Sequence, residues 1–184
     1  MDEELNTKIS VADLYGRQKV ANMTLEDAKF WGRPNFKGEL DRFNDSRRKF
    51  TVLIPEDIAD TLAGLGWNIR RTDPKPEQLA INPEMKPVYS LKVFMNFTPD
   101  EDDPENVEKE SGPNVYIVMG GETEKLNSRT VGLLDRARID SLDMEIRAWE
   151  YNKLEHPGKF SARLVELVAV IRPSILGDKY GLGR

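Results

Sequence analysis

The residues in this sequence best suited to chemistry are aromatics and cations set close together. Phe30, Trp31, Phe36, Phe43 and Phe50 are interleaved with Arg33, Lys37, Arg42, Arg47, Arg48 and Lys49. Trp67 precedes Arg70 and Arg71, while Arg147, Trp149 and Tyr151 fall at alternate positions, which places them on one face of a strand. Rings stack on other flat rings, and cations hold phosphates. A groove for a single-stranded nucleic acid needs both, because unpaired bases stack on aromatic side chains at ~1–3 kcal/mol each while cations follow the backbone. Taken singly, the same residues have a plainer reading. Phe30, Phe50 and Trp67 fit a core, an Arg-Arg-Lys run marks a solvated edge, and Phe36, Phe43, Trp149 and Tyr151 fit either role.

Other chemistry finds little support. Zero Cys removes disulfides, thiolate metal sites, iron–sulfur clusters and cysteine nucleophiles, and fits a reducing compartment. The one His, His156, precedes Pro157 and Gly158 in an apparent turn, leaving no His cluster for a transition metal and no obvious triad base. There is no phosphate-binding glycine loop, nucleophile elbow or zinc-protease motif, and the glycines of Gly181-Leu182-Gly183 have no helix to follow. No metal or organic cofactor and no catalysis are expected. No apolar run approaches the ~18–20 residues that span a bilayer, and Met1-Asp2-Glu3-Glu4 does not read as a signal peptide, so the expectation is a soluble cytoplasmic protein with no membrane partner.

The net charge of −5 over 184 residues argues at first against a nucleic-acid ligand, but it is unevenly spread. Residues 98–113 hold seven acids (Asp100, Glu101, Asp102, Asp103, Glu105, Glu108, Glu110) and one base, Lys109. Outside that window stand 26 bases against 25 acids, and setting aside Asp2, Glu3 and Glu4 leaves a mildly basic body. A like-charge block with three prolines buries little and reads as a solvated or disordered loop inserted in a domain. Its alternatives are a lure for a basic partner or a mimic of nucleic acid in the protein's own groove. It lacks the spacing and Gly of a calcium loop.

The elements that must position these residues are mostly strands. Residues 1–21 show no sustained period and read as a polar N-terminal arm. A strand-like pattern begins at Asn22, and Phe50-Thr51-Val52-Leu53-Ile54 is a strand rich in β-branched residues. Pro55-Glu56-Asp57 opens a short helix with Ile58, Leu62 and Leu65 on one face, ended by Gly64 and Gly66. Strands follow at Trp67 to Arg71, Val88 to Phe97 and Val115 to Met119, with Gly120-Gly121 as a turn. Asn127 or Ser128 caps a second short helix with Val131 and Leu134 inward. Two long strands, residues 139–151 and 160–171, form a final hairpin, the second apolar on nearly both faces and therefore central. The expected fold is mainly β: an antiparallel barrel with two short helices and an acidic loop insertion.

The order of these elements resembles the single-stranded-DNA-binding proteins of tailed bacteriophages, an OB-fold family. The resemblance rests on Ala28, Phe30-Trp31, Asn35-Phe36-Lys37-Gly38, Phe43-Asn44, the strand Arg48 to Ile54, Pro55-Glu56-Asp57-Ile58-Ala59, Leu62 and Gly66-Trp67-Asn68-Ile69. Later Leu134-Asp135, Asp143, Ile146 and Trp149-Glu150 match in order, so that it covers roughly residues 22–173. It implies an OB-type binding domain over 22–173, a C-terminal tail over 174–184, and a non-catalytic protein that coats single-stranded DNA with little sequence preference during phage replication or recombination. Candidate phosphate contacts are Arg33, Lys37, Arg42, Arg47, Arg48, Lys49, Arg70 and Arg147. Candidate stacking residues are Phe36, Phe43, Trp149 and Tyr151, with Trp31 and Trp67 in reserve. Many such proteins end in an acidic tail that recruits replication partners. This chain ends Lys179-Tyr180-Gly181-Leu182-Gly183-Arg184, so the loop from Asp100 to Glu110 becomes the candidate contact for replication or recombination proteins. A homo-oligomer is compatible with this reading. Alternatives are a protein-interaction module of a phage replisome or counter-defence system, and a metal-dependent nuclease built on the acids around Asp100.

Overall fold

A computed structural model describes residues 5–13, 21–150 and 160–172. Tyr151, His156 and the hairpin connection at 152–159 lie outside the described residues, as does the C-terminal tail.

The core is laid down by strands whose apolar residues alternate. In β3 (Lys49–Ile54), Phe50, Val52 and Ile54 are buried, and in β8 (Ile139–Glu150), Leu142, Met144, Ile146 and Ala148 are buried. Each large side chain so buried contributes ~1.5–3 kcal/mol, which fixes the register, since a one-residue slip would turn the whole set to water. β9 (Phe160–Ile171) buries Ala162 and Leu164, then Leu167, Ala169 and Ile171. The change of parity coincides with a slip in the β8–β9 pairing, where Glu145 faces Glu166 but Ile146 faces Leu164. One extra residue, Val165, is accommodated there, as in a β-bulge. The apolar character of β9 on both faces is therefore partly a change of face within one strand.

β9 is also central. β8 runs antiparallel along one side of it, and β5 (Val88–Phe94) and β6 (Asn114–Met119) follow one another along the other, both parallel to it. The expectation of a wholly antiparallel sheet is corrected at these two pairings. Long connections reach β9 from β5 and β6, so no tight hairpin imposes opposite directions. β3 and β4 (Ile69–Thr72) flank β5, and β2 (Ala21–Glu26) pairs with β8. Beyond β2, Asp27 takes a φ of 54° and donates its N–H to Asp143 Oδ1 at 2.9 Å. The chain then passes from β8 to β3: Ala28 N–H bonds Leu142 O at 2.8 Å, Leu53 N–H bonds Lys29 O at 2.9 Å, and Trp31 N–H bonds Thr51 O at 2.8 Å.

Several elements depart from the sequence expectation. Lys8–Asp13, inside the stretch read as an arm, forms edge strand β1 paired with β2. The first helix is found as α1 (Glu56–Gly64) with Ala59 and Leu62 buried, but Leu65 lies past its end and is 49% exposed. The second α-helix, α2, is Pro76–Ile81 in the proline-rich stretch, where it buries nothing and so carries no apolar stripe to betray it. The helix expected after Asn127 is a 3₁₀ turn, Val131–Asp135; Val131 and Leu134 are buried, and their i, i+3 spacing suits three residues per turn. β7 (Glu122–Leu126) buries only Leu126, and pairs with β6 through Gly120 and Gly121, at φ 58° and 81°, as a two-residue hairpin turn requires.

The acidic stretch is folded back on itself. Thr98 and Ser111 exchange backbone hydrogen bonds at its base, the N–H groups of Asp102 and Asp103 bond Asp100 Oδ1, and Lys109 lies 3.6 Å from Asp103. Gly112, at φ 151°, lets the chain press on its neighbour: a Cβ there would lie 2.8 Å from Asn96 O and 2.9 Å from Phe97 Cδ1.

Candidate nucleic-acid interface

The strands that bury one face turn the other outward. Opposite the core row Val93–Ala162–Ala148 runs a second row in which Lys49 faces Phe94, Phe94 faces Arg163, and Arg163 faces Arg147. One step away Thr51 faces Lys92, and Trp149 faces Ser161. A groove of about 1320 Å³ opens along this side of the sheet. Its cations are Arg47, Arg48, Arg70, Lys92 and Arg163, and its aromatics are Trp31, Phe94, Phe97, Trp149 and Phe160. Against these five cations stands one carboxylate among the described lining residues, Glu110. The composition suits a polyanion carrying flat rings.

Four of the sequence candidates therefore meet in the groove: Arg47, Arg48, Arg70 and Trp149, with Trp31 from the reserves. Arg48 is half-buried. Its guanidinium donates to Phe36 O at 2.9 Å and lies 5.1 Å from the Phe97 ring centre. Burial lowers its pKa, and Glu110 and Asp135 oppose that shift. Glu110 in turn accepts the Ser128 N–H at 2.8 Å, which holds the acidic loop at the groove's edge.

Phe36, a stacking candidate in the sequence, lies in the core and not in the groove lining. It is fully buried, stacked on Phe50 at 5.3 Å between ring centres and edge-on to Phe30 at 5.8 Å. The local turn puts it there: Asp135 accepts the N–H groups of Phe36 (2.6 Å) and Lys37 (3.1 Å), and Asn35 Oδ1 accepts those of Gly38 and Glu39. Trp67, at 3% exposure, is likewise core.

Lys49 lies outside the groove lining, held between two carboxylates. Its ammonium lies 2.9 Å from both Asp41 Oδ2 and Asp45 Oδ2. Burial alone would lower its pKa, but the two carboxylates outweigh burial and raise it. Asp45 is held far below the usual carboxylate range, chiefly by the Arg47 guanidinium, and Asp41 is lowered by the Asp45 N–H and then by Lys49. Lys49 thereby braces the loop between Asn35 and Arg48.

Arg33, Lys37, Arg42, Phe43 and Arg147 stand outside the groove lining, all exposed. Phe43 is 75% exposed with the Arg42 guanidinium 4.7 Å from its ring centre. Lys37 lies 3.4 Å from Glu39. Sequence reasoning missed Lys92, Phe94, Phe97, Phe160 and Arg163. The alternation Leu91-Lys92-Val93-Phe94 in β5 already separates the two faces, but only the cross-strand register places Phe94 beside Arg163.

Among the described residues no group of three His, Asp or Glu side chains is placed to hold a metal ion, and no helix is long and apolar enough to cross a membrane. Residues 14–180 match the profile of the family described as "Putative phage ssDNA-binding domain". No curated protein matches the chain. Two solved structures are similar to it. One is a C-terminal truncation of the single-stranded DNA-binding protein from bacteriophage Enc34, at 12% identity over 89% of this chain and 96% of that one, with a TM-score of 0.45. The other is the single-stranded DNA-binding protein encoded by bacteriophage T7, at 13% identity over 86% and 96%, with a TM-score of 0.33.

Proposed function

The chain belongs to the phage single-stranded-DNA-binding domain family, and from that premise we propose that it grips the strand in the groove between β3, β4, β5, β8 and β9. The observation that carries this reading is the meeting of five cations and five aromatic side chains on one side of the sheet. The protein binds single-stranded DNA of the phage and coats it during replication or recombination, in the cytoplasm of the host and without catalysis. Arg47, Arg48, Arg70, Lys92 and Arg163 follow the phosphates, and Trp31, Phe94, Phe97 and Trp149 receive bases. Contacts of this kind to phosphate and ring faces carry little sequence information, so binding is largely indifferent to base order.

The sheet works as an OB-type barrel. Support comes from residues 28–31, whose hydrogen bonds to Leu142 on one side and to Thr51 and Leu53 on the other carry the chain from β8 to β3. The acidic loop is an insertion in that barrel, and its outward carboxylates are the contact for basic replication proteins. Fluorescence anisotropy with a labelled oligonucleotide tests the binding mode. Single strands should bind more tightly than the matching duplex, and the affinity should fall steeply with salt; equal affinity for both, or none at low salt, would contradict the proposal.

A further inference from the structure

Three rings in the groove lie under guanidinium groups. Arg163 sits 4.3 Å from the centre of Trp149, Arg47 4.7 Å from that of Phe94, and Arg48 5.1 Å from that of Phe97. All six residues line the groove. A ring face covered in this way has no room for a base, so part of the stacking surface is closed before DNA arrives. The pair at Trp149 is the most open to exchange, since that ring is 54% exposed and its cation faces Arg147 directly across the β8–β9 ladder. Like charges at such a position repel. Lying over the ring relieves that repulsion without tying Arg163 to a carboxylate.

Resting on the groove's assignment to single-stranded DNA, we propose that Arg163 is a positioning residue that gates Trp149: a phosphate draws the guanidinium off the ring, and a base takes its place. A cation over a partly exposed ring is a weak contact, whereas a guanidinium–phosphate pair forms charge-assisted hydrogen bonds. The exchange is favourable when phosphate and base arrive together, as they do on a polymer. A nucleoside brings a base with no phosphate and finds one face of the ring covered. The gate thus selects strands over free bases and nucleosides.

The test reads Trp149 in the free protein by acrylamide quenching, taking the difference between the wild type and Trp149→Phe. Trp67 is buried and Trp31 is common to both. Arg163→Gln should make Trp149 more quenchable and let thymidine quench it. Arg163→Lys keeps the charge but loses the flat face, so it should open the ring equally while preserving the salt dependence of oligonucleotide binding. Trp149→Ala and Arg163→Ala should be non-additive in Kd by about twofold or more. Normal oligonucleotide binding with Trp149 equally quenchable in the wild type, Arg163→Gln and Arg163→Lys would overturn the gate alone, as would additive effects. Absence of oligonucleotide binding by the wild type would overturn the groove's assignment and the gate with it.

Discussion

Replacing Trp149 with Ala separates stacking from folding. The ring stands on the outer face of β8, 54% exposed, while its neighbour Ala148 faces the core. Truncating it opens no cavity, so stability should change by no more than about 0.5 kcal/mol. What is lost is a stacking platform worth ~1–3 kcal/mol per base, or about 5- to 150-fold in Kd. The Arg163 charge remains to meet a phosphate, so the salt dependence should keep its slope while the curve shifts to weaker binding. Trp149→Phe should recover most of the affinity, because any ring offers a stacking face. The assay is anisotropy with an oligothymidylate across a salt series, alongside a urea melt to confirm folding. Phe43→Ala is the comparison: that ring is more exposed but lies outside the groove lining, and its loss should change Kd by less than about twofold. A folded Trp149→Ala protein with wild-type affinity would refute the reasoning, and a larger loss from Phe43→Ala would move the stacking site to the loop.

Phe36→Ala should cost about 3–5 kcal/mol in a urea melt, because the ring fills the core between Phe30 and Phe50; normal stability with weakened DNA binding would restore it as a stacking residue. Gly112→Ala should lose about 1–3 kcal/mol and also weaken binding, since its Cβ would push on Asn96 and on Phe97 in the groove; a variant unchanged in both would show that the contact is soft. Asp41 and Asp45 have lowered folded pKa values, so the stability they contribute is present above the ordinary value near ~3.9 and is lost as pH falls through the folded values. Amide protection at Phe43 and Asp45 should hold from about pH 8 to 5 and weaken progressively only as pH falls from about 4 toward the lowered folded values; loss already near pH 6 would point to a different brace.

Much of the fold is legible in the sequence wherever burial imposes a period. β3, α1 and β8 bury one face each, and their apolar spacing shows it. β1, α2 and β7 are short, polar or at an edge; they bury too little to leave a pattern. β9 looked central for its apolar faces, but part of that signal is the extra residue Val165 shifting the buried set from even to odd positions. The site divides in the same way. Interleaved rings and cations marked the neighbourhood of Arg47, Arg48, Arg70 and Trp149. Composition could not say which rings turn inward. Phe36 is turned to the core by backbone hydrogen bonds to Asp135, 99 residues away, and Lys49 is captured by Asp41 and Asp45. Lys92, Phe94 and Arg163 come together only through strand pairing, which no local pattern specifies.

The central claim is that the groove, and not the loop beside it, carries the phosphates. The most direct measurement is the slope of log Kd against log salt for an oligothymidylate, comparing an Arg70/Lys92/Arg163 triple alanine variant with an Arg33/Lys37/Arg42 triple variant. Each phosphate contact on a single strand contributes about 0.7 to that slope. The groove variant should lose about 2 from its magnitude, and the loop variant should keep the wild-type value. An unchanged slope in the groove variant, with the loss appearing in the loop variant, would contradict the account.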